Sequence, residues 1–246
     1  MSERTALVVW DFDWSLVNEN SDTYVIEQID DTGQIYRELT RMLHEKRRGW
    51  TELMDWAVGE LHIRYGTTPA RFGEVLATIP FMSKVLEAVE MAAKVSAEQR
   101  ILSDANSVYI SSCLASPLDA AAHFSMVLTN PAEFDHAGRL HIQPYHRAGQ
   151  SHGCSHCPPN LCKGAILQRW LNECPLRRCV YVGDGAGDFC PATRMRPCDV
   201  LLARRSPHDS LLRQARSGGV VAQIFEWGGQ TDADGADLLA TLASVL

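Results

Sequence analysis

The segment Ala6-Leu7-Val8-Val9-Trp10-Asp11-Phe12-Asp13-Trp14-Ser15 decides how this chain is read. Five apolar residues without a polar interruption predict a strand buried on both faces, and two carboxylates follow at i and i+2 where the strand stops. Residues two apart in extended chain share a face. Both acids would then project from the C-terminal edge of a parallel sheet, where open α/β sheets bind their ligands. Taken alone, the segment also reads as a polar turn after a buried strand.

Four similar runs lie further along: Gln99 to Ser103, Ser125 to Leu128, Cys179 to Val182 and Asp199 to Ala203. They alternate with longer helical stretches, which predicts an α/β fold: a Rossmann-like parallel sheet with helices on both faces, joined by crossover helices. Between the first two strands, apolar residues recur at spacings of three and four (Ile35, Leu39, Leu43; Leu53, Trp56; Val85, Val89, Ala92), so a helical insert follows the first strand. Breaks at Arg48-Gly49, Gly66 to Pro69 and Pro80 divide it. The domain reading is a discontinuous core, residues 1–17 and 95–246, with the insert over residues 18–94. A loop-rich stretch from Asn130 to Pro159 precedes an amphipathic run from Gly164 to Asn172, and Thr231 to Leu246 reads as a turn and a short helix.

Composition narrows the classes. The 246 residues are 46% hydrophobic and 22% charged, which excludes disorder and collagen. Lys plus Arg number 23 against 30 Asp plus Glu, a net charge of −7 that exerts no pull toward nucleic acid or an anionic membrane. The longest apolar runs are far short of a bilayer span. Eight cysteines lie mostly in segments that read as core, and MSERTALVVWDFD has no basic-then-apolar leader, so a reduced, cytoplasmic setting is expected.

A second acidic cluster, Gly183-Asp184-Gly185-Ala186-Gly187-Asp188, follows the Cys179 to Val182 strand as the first follows Ala6 to Trp10. Four carboxylates at one sheet edge repel one another unless a hard cation such as Mg²⁺ joins them. Phosphate chemistry also needs donors, and Ser103 at a strand end and Lys163 before a helix are suitably placed. Taken alone, a strand-end Ser is more often a turn or cap residue and a lone Lys more often a solvated charge.

In chain order, these features resemble the four motifs of haloacid dehalogenase superfamily phosphatases. More closely, Asp11 to Asp22 (DFDWSLVNENSD), Leu102 to Asn106 (LSDAN), Cys154 to Lys163 (CSHCPPNLCK) and Tyr181 to Pro191 (YVGDGAGDFCP) resemble the phosphoethanolamine/phosphocholine phosphatase family. The resemblance implies that Asp11 is the nucleophile, forming an aspartyl-phosphate, and that Asp13 is the general acid and base. It implies Mg²⁺ held by Asp11, the backbone carbonyl of Asp13 and Asp184 with Asp188 in support, and phosphoryl oxygens neutralised by Ser103 and Lys163. The insert becomes a cap that selects a small phosphomonoester. The chain departs from the family at Gly187, where its members usually carry Asn.

The same resemblance assigns Asp22 and Asp104 to a positively charged leaving group, as in phosphoethanolamine or phosphocholine; from side-chain chemistry alone, Trp14 or Tyr24 could add a cation–π face worth roughly 0.5–2 kcal/mol. Capping of the adjacent helices is the alternative for both acids. Pyridoxal 5′-phosphate and thiamine monophosphate are alternative substrates, and a phosphate- or metal-binding scaffold without turnover is the alternative class. Separately, Cys154, Cys157 and Cys162 could surround a tetrahedral structural Zn²⁺ with a histidine as fourth ligand. Packed thiols and a redox switch are the other readings of that cluster. Cys113, Cys174, Cys179, Cys190 and Cys198 read as small buried hydrophobes, and Trp50, Met54, Trp56 and Leu61 as cap core.

Overall fold

The computed structural model describes residues 6–45, 48–115, 120–147, 152–173, 175, 177–229, 231 and 234–246. Cys174 lies outside them. Six strands make one parallel sheet: β1 (Ala6–Trp10), β2 (Glu98–Asn106), β3 (Met126–Asn130), β6 (Arg178–Gly183), β7 (Val200–Arg204) and β8 (Gln223–Trp227), in the spatial order β3-β2-β1-β6-β7-β8. β1 is central, paired in register with β2 on one side and β6 on the other.

The period of two along β1 explains the layers. Val8 and Trp10 join the larger core with Ile101, Val180, Val182, Val200 and Leu202, while Leu7 and Val9 join the opposite core with Leu102, Cys179, Tyr181 and Leu201. On the second face lie α7 (Lys163–Glu173), through Ile166, Leu167, Trp170 and Leu171, and α9 (Ser210–Ser217), through Leu211, Leu212 and Ala215. The first face is covered by α5 (Ser83–Lys94), α6 (Ser107–Leu114) and α10 (Gly235–Val245), with α10 running along α5.

Between β1 and α5 stand α1 (Ser21–Ile29), α2 (Gln34–His44), α3 (Trp50–Tyr65) and α4 (Pro69–Leu76). Their punctuation is local. Thr68 accepts from the Arg71 amide with Pro69 at the first helical position, and Gly66 ends α3 at φ 62. Inward residues Val25, Ile26, Ile35, Leu39, Leu53, Met54, Ala57 and Val58 are buried and continuous with the larger core.

Three features differ from the expectations. β2 runs on through Asp104 to Asn106, because Thr129 Oγ1 donates to the Ala105 carbonyl (2.7 Å) and Asn130 Nδ2 to the Asp104 carbonyl (2.6 Å), side chains standing in where the ladder shifts register. The Asn130 to Pro159 stretch holds an antiparallel hairpin of β4 (Ala132–Phe134) and β5 (Leu140–Ile142), hidden in sequence by Pro131 and Gly138. β8 has no apolar run to announce it, being an edge strand whose Phe225 is exposed. Among the described residues no helix is long and apolar enough to cross a membrane.

The hairpin latches the inserted helices. Arg139 donates to both carboxylate oxygens of Asp55 on α3 (3.1 and 3.0 Å) and to its carbonyl (3.0 Å), while the Ile142 amide donates to Asp55 Oδ1 (2.9 Å). Arg139→Met is expected to cost about 1–2 kcal/mol, the lower range for charge-assisted bonds because the pair is partly solvated. Urea denaturation at constant slope measures the loss, and an unchanged midpoint contradicts the latch.

Candidate active site

The ladder between β1 and β6 carries one step past the strand, where the Asp11 amide donates to the Val182 carbonyl at 2.9 Å. The chain then turns tightly. The Ser15, Leu16 and Val17 amides all converge on the Phe12 carbonyl, and Trp14 takes a positive φ of 56. The turn carries Asp13 to the base of α1, where its Oδ1 accepts the Ser21 amide at 2.8 Å. One carboxylate thus remains at the sheet edge while the other meets the inserted helices.

The loop after β6 is organised by Asp188. Its Oδ2 accepts the amides of Asp184 (3.2 Å) and Gly185 (3.1 Å), and its Oδ1 accepts Tyr181 Oη and Lys163 Nζ, each at 2.8 Å. Gly183 is required by this approach, since a Cβ there would lie 2.6 Å from Asp188 Oδ2. Asp11, Asp184 and Asp188 gather with carboxylate oxygens within 4.8 Å of one another, all buried. Lys163, only 3% exposed at the start of α7, donates to Asp11 Oδ1 at 2.7 Å and so bridges the two acidic clusters.

Burial, then the charges of Asp188 and Asp184, drives the Asp11 carboxyl well above its ordinary range despite Lys163. Burial and the Asp188 charge push Asp184 up to about 8, and burial pushes Asp13 up to about 6. For Lys163, burial opposes the charge, but the Asp11 and Asp188 carboxylates outweigh it and hold the ammonium well above its ordinary pKa. One ammonium leaves the three carboxylates in excess of positive charge.

Ser103 is buried in β2, and its Oγ accepts the Ala105 amide at 3.1 Å. Asp22 and Asp104 come together. Both line a tight crevice, without free volume for a water molecule, with Trp50, Thr51, Met54, Asn106 and Asn130, where α1 and α3 meet the end of β2. Neither caps a helix: the side chains of Asn20 and Asn106 do, accepting the amides of Thr23 and Tyr109. Burial pushes Asp22 up to about 7, and Asp104 is raised for the same reason. Asp104 Oδ1, Thr51 Oγ1 and Asn106 Nδ2 are buried there without a hydrogen-bond partner, a polar demand that the surrounding side chains leave unmet. Gly187 lies close by, its missing Cβ 3.4 Å from Asp104 Oδ2.

Two aromatic expectations are corrected. The Trp14 ring faces the Arg204 guanidinium (5.7 Å) and His208 (4.9 Å), and Tyr24 Oη donates to the Thr78 carbonyl. The aromatic at the crevice is Trp50, whose Nε1 donates to Asp22 Oδ2 at 2.7 Å. Cys190, read as a buried hydrophobe, instead gathers with Cys154, Cys157 and Cys162, and no histidine is in that group among the described residues. Sequence reasoning also missed Tyr181 and the buried Arg204. Tyr181 could have been found as the polar tip in an otherwise apolar strand, on the odd-numbered face that β6 turns toward α7.

A family model described as Putative Phosphatase matches residues 6–245. The chain is 33% identical over 246 residues to an Inorganic pyrophosphatase 2 of Arabidopsis thaliana, covering 98% of this chain and 83% of that protein. It is 33% identical over 209 residues to a Pyridoxal phosphate phosphatase of Mus musculus, covering 80% and 81%. Among solved structures it resembles a phosphoserine phosphatase from T. onnurineus, with a TM-score of 0.60 at 15% identity, covering 98% of this chain and 97% of that one.

Replacing Lys163 by Met leaves the carboxylates of Asp11 and Asp188 facing each other without their cation. The expected loss is about 3–5 kcal/mol of stability, together with activity. Adding Asp188→Asn recovers part of the stability and none of the turnover. Thermal and urea unfolding of both variants measure this, and a Lys163→Met protein as stable as the parent contradicts the bridge.

Proposed function

The chain belongs to this phosphatase family and is a phosphoric monoester hydrolase, and from that premise we propose that it passes the phosphoryl group of a small ammonium-bearing ester to Asp11 and then to water. The observation that carries the reading is the Lys163 ammonium bonded at once to Asp11 and Asp188 beside Asp184.

An Asp11 carboxylate oxygen attacks phosphorus, and the bond to the leaving oxygen breaks as Asp13 gives that oxygen a proton. Asp13, pushed up by burial to about 6, retains a protonated fraction near neutral pH. Asp13 then takes a proton from water, whose oxygen displaces Asp11 from phosphorus and releases phosphate. Lys163 neutralises phosphoryl oxygens, and Ser103, whose Oγ accepts the Ala105 amide, directs its own proton toward them.

The donor set fits Mg²⁺: hard oxygens, converging and short of positive charge. Asp11, Asp184 and the Asp13 carbonyl would hold it, with Asp188, both oxygens already engaged, bracing the loop. Bound there, the ion would neutralise charge on the carboxylates and the phosphoryl group. Without it, raising Asp184 from 3.8 to about 8 means that stability present below about pH 4 is lost as pH rises through about 8. Added Mg²⁺ should therefore raise the melting temperature more at pH 8 than at pH 6, and the difference should shrink in Asp184→Asn, where Asp11 is the remaining titrating ligand. Calorimetry in both buffers checks this, and a pH-independent shift contradicts it.

Substrate choice rests on the crevice. Asp22 and Asp104 offer carboxylates without a cationic side chain among the lining residues, in a crevice whose side chains must move apart to admit a head group. Phosphoethanolamine and phosphocholine supply the missing charge, whereas pyrophosphate presents an anionic leaving group that these acids repel, and pyridoxal 5′-phosphate a bulkier one. A phosphate-release panel with Mg²⁺ should rank the ammonium esters first and fall to background with Asp11→Asn. Binding without turnover in the parent protein would favour a scaffold. Asp22→Asn should raise KM for phosphoethanolamine about tenfold, or about 1.4 kcal/mol, with little change for p-nitrophenyl phosphate. As Asp22 becomes anionic through about pH 7, KM for the ammonium ester should fall, and Asp22→Asn should flatten that profile. Fastest turnover of pyrophosphate or pyridoxal 5′-phosphate contradicts the head-group assignment.

A further inference from the structure

We propose that Cys154, Cys157, Cys162 and Cys190 bind one structural zinc ion, which ties the loop carrying Lys163 to the helix that follows Asp188. All four sulfurs lie within 4.8 Å of one another. Zinc–thiolate bonds of about 2.3 Å place the corners of a tetrahedron about 3.8 Å apart, and Cys154 Sγ to Cys190 Sγ is 3.5 Å. Three ligands come from one loop in a C-x2-C-x4-C spacing, and the fourth arrives from α8 (Phe189–Ala192).

The backbone is shaped to bring that fourth sulfur in. A Cβ on Gly164 would lie 2.3 Å from Cys190 Sγ and 3.0 Å from the Cys190 carbonyl oxygen, so only glycine lets the first turn of α7 pass this close. The Ala165 amide donates to Cys162 Sγ at 3.4 Å, an N–H···S contact that orients a thiolate ligand and stabilises its charge. Cys162 and Cys190 are buried while Cys154 and Cys157 are half-buried, leaving the loop side as the route by which a metal enters.

Soft sulfur donors in a closed tetrahedral set suit zinc, with iron as the competing ion. Two disulfides would pair the sulfurs two by two and leave the fourfold convergence without a purpose. The location gives the ion its effect. Cys162 precedes Lys163, Cys190 lies two residues after Asp188, and the Lys163–Asp188 contact is 2.8 Å. A zinc tie behind that contact holds both ends of the bridge at fixed spacing, independently of which ester the enzyme takes.

The test is elemental analysis of the full chain purified under reducing conditions with neither chelator nor added metal. One zinc per chain is expected, released in step with thiol titration by an organomercurial. Cobalt(II) uptake should give the visible spectrum of a tetrahedral tetrathiolate site. Cys190→Ser should weaken zinc retention by at least about tenfold, since the loss of even an outer-sphere partner costs that much. Cys198→Ser, at an exposed cysteine outside the cluster, should retain the full complement. Stoichiometric iron, protein that carries no metal and takes up no cobalt, or a Cys154–Cys190 disulfide in the unreduced protein would overturn the proposal. Because metal content is read without turnover, failure here is distinct from failure of the phosphatase substrate reading.

Discussion

Three buried carboxylates from two loops, Asp11, Asp184 and Asp188, are held within 4.8 Å of one another at one edge of the sheet. Nothing apolar stabilises such an arrangement, and Coulomb repulsion between like charges at this range is large wherever water is excluded. The surrounding chemistry answers that constraint. Lys163 supplies the ammonium, Tyr181 and two backbone amides occupy Asp188, and Gly183 yields the space they need. What remains is an excess of negative charge, which suits a divalent ion and a phosphoryl group arriving together.

The same economy of placement connects the sheet to the inserted helices. The turn after Asp11 delivers Asp13 to the base of α1, and the Arg204 guanidinium, buried between the rings of Trp14 and Trp227, holds that turn by donating to the Trp14 carbonyl and Asn18. Burial lowers the Arg204 pKa to about 10, which still leaves it charged at neutral pH. On the other side the β4–β5 hairpin grips α3 through Asp55. Asp22, Trp50 and Asp104 therefore meet at a junction fixed from both flanks, and the selection proposed for the head group resides at that junction.

Much of this was legible in the chain. β1, β6 and β7 announce themselves as apolar runs because central parallel strands are buried on both faces, and the breaks at Gly49, Gly66 to Pro69 and Pro80 fall between helices as found, whereas the break between α1 and α2 at Gly33 was not read. Elements that owe their form to partners were not legible. β8 exists because β7 offers an edge, the hairpin because α3 offers Asp55, and the extension of β2 because Asn130 and Thr129 supply bonds from the next strand. At the site, Asp11, Asp184, Asp188 and Lys163 stand in motifs, whereas Cys190 is one cysteine on a short helix until folding brings it to the other three. Trp50 looked like cap core because its ring is mostly apolar, and only its indole N–H reaches Asp22.

On the mechanism proposed, Asp11, paired with Lys163, takes the phosphoryl group covalently. The most direct measurement is acid quench of the enzyme during turnover of radiolabelled p-nitrophenyl phosphate, followed by peptide mapping. An acid-stable, base-labile phosphoryl label is expected on the peptide containing Asp11, absent when that residue is Asn. Steady turnover with no label on the protein, or with the label on another residue, would contradict it.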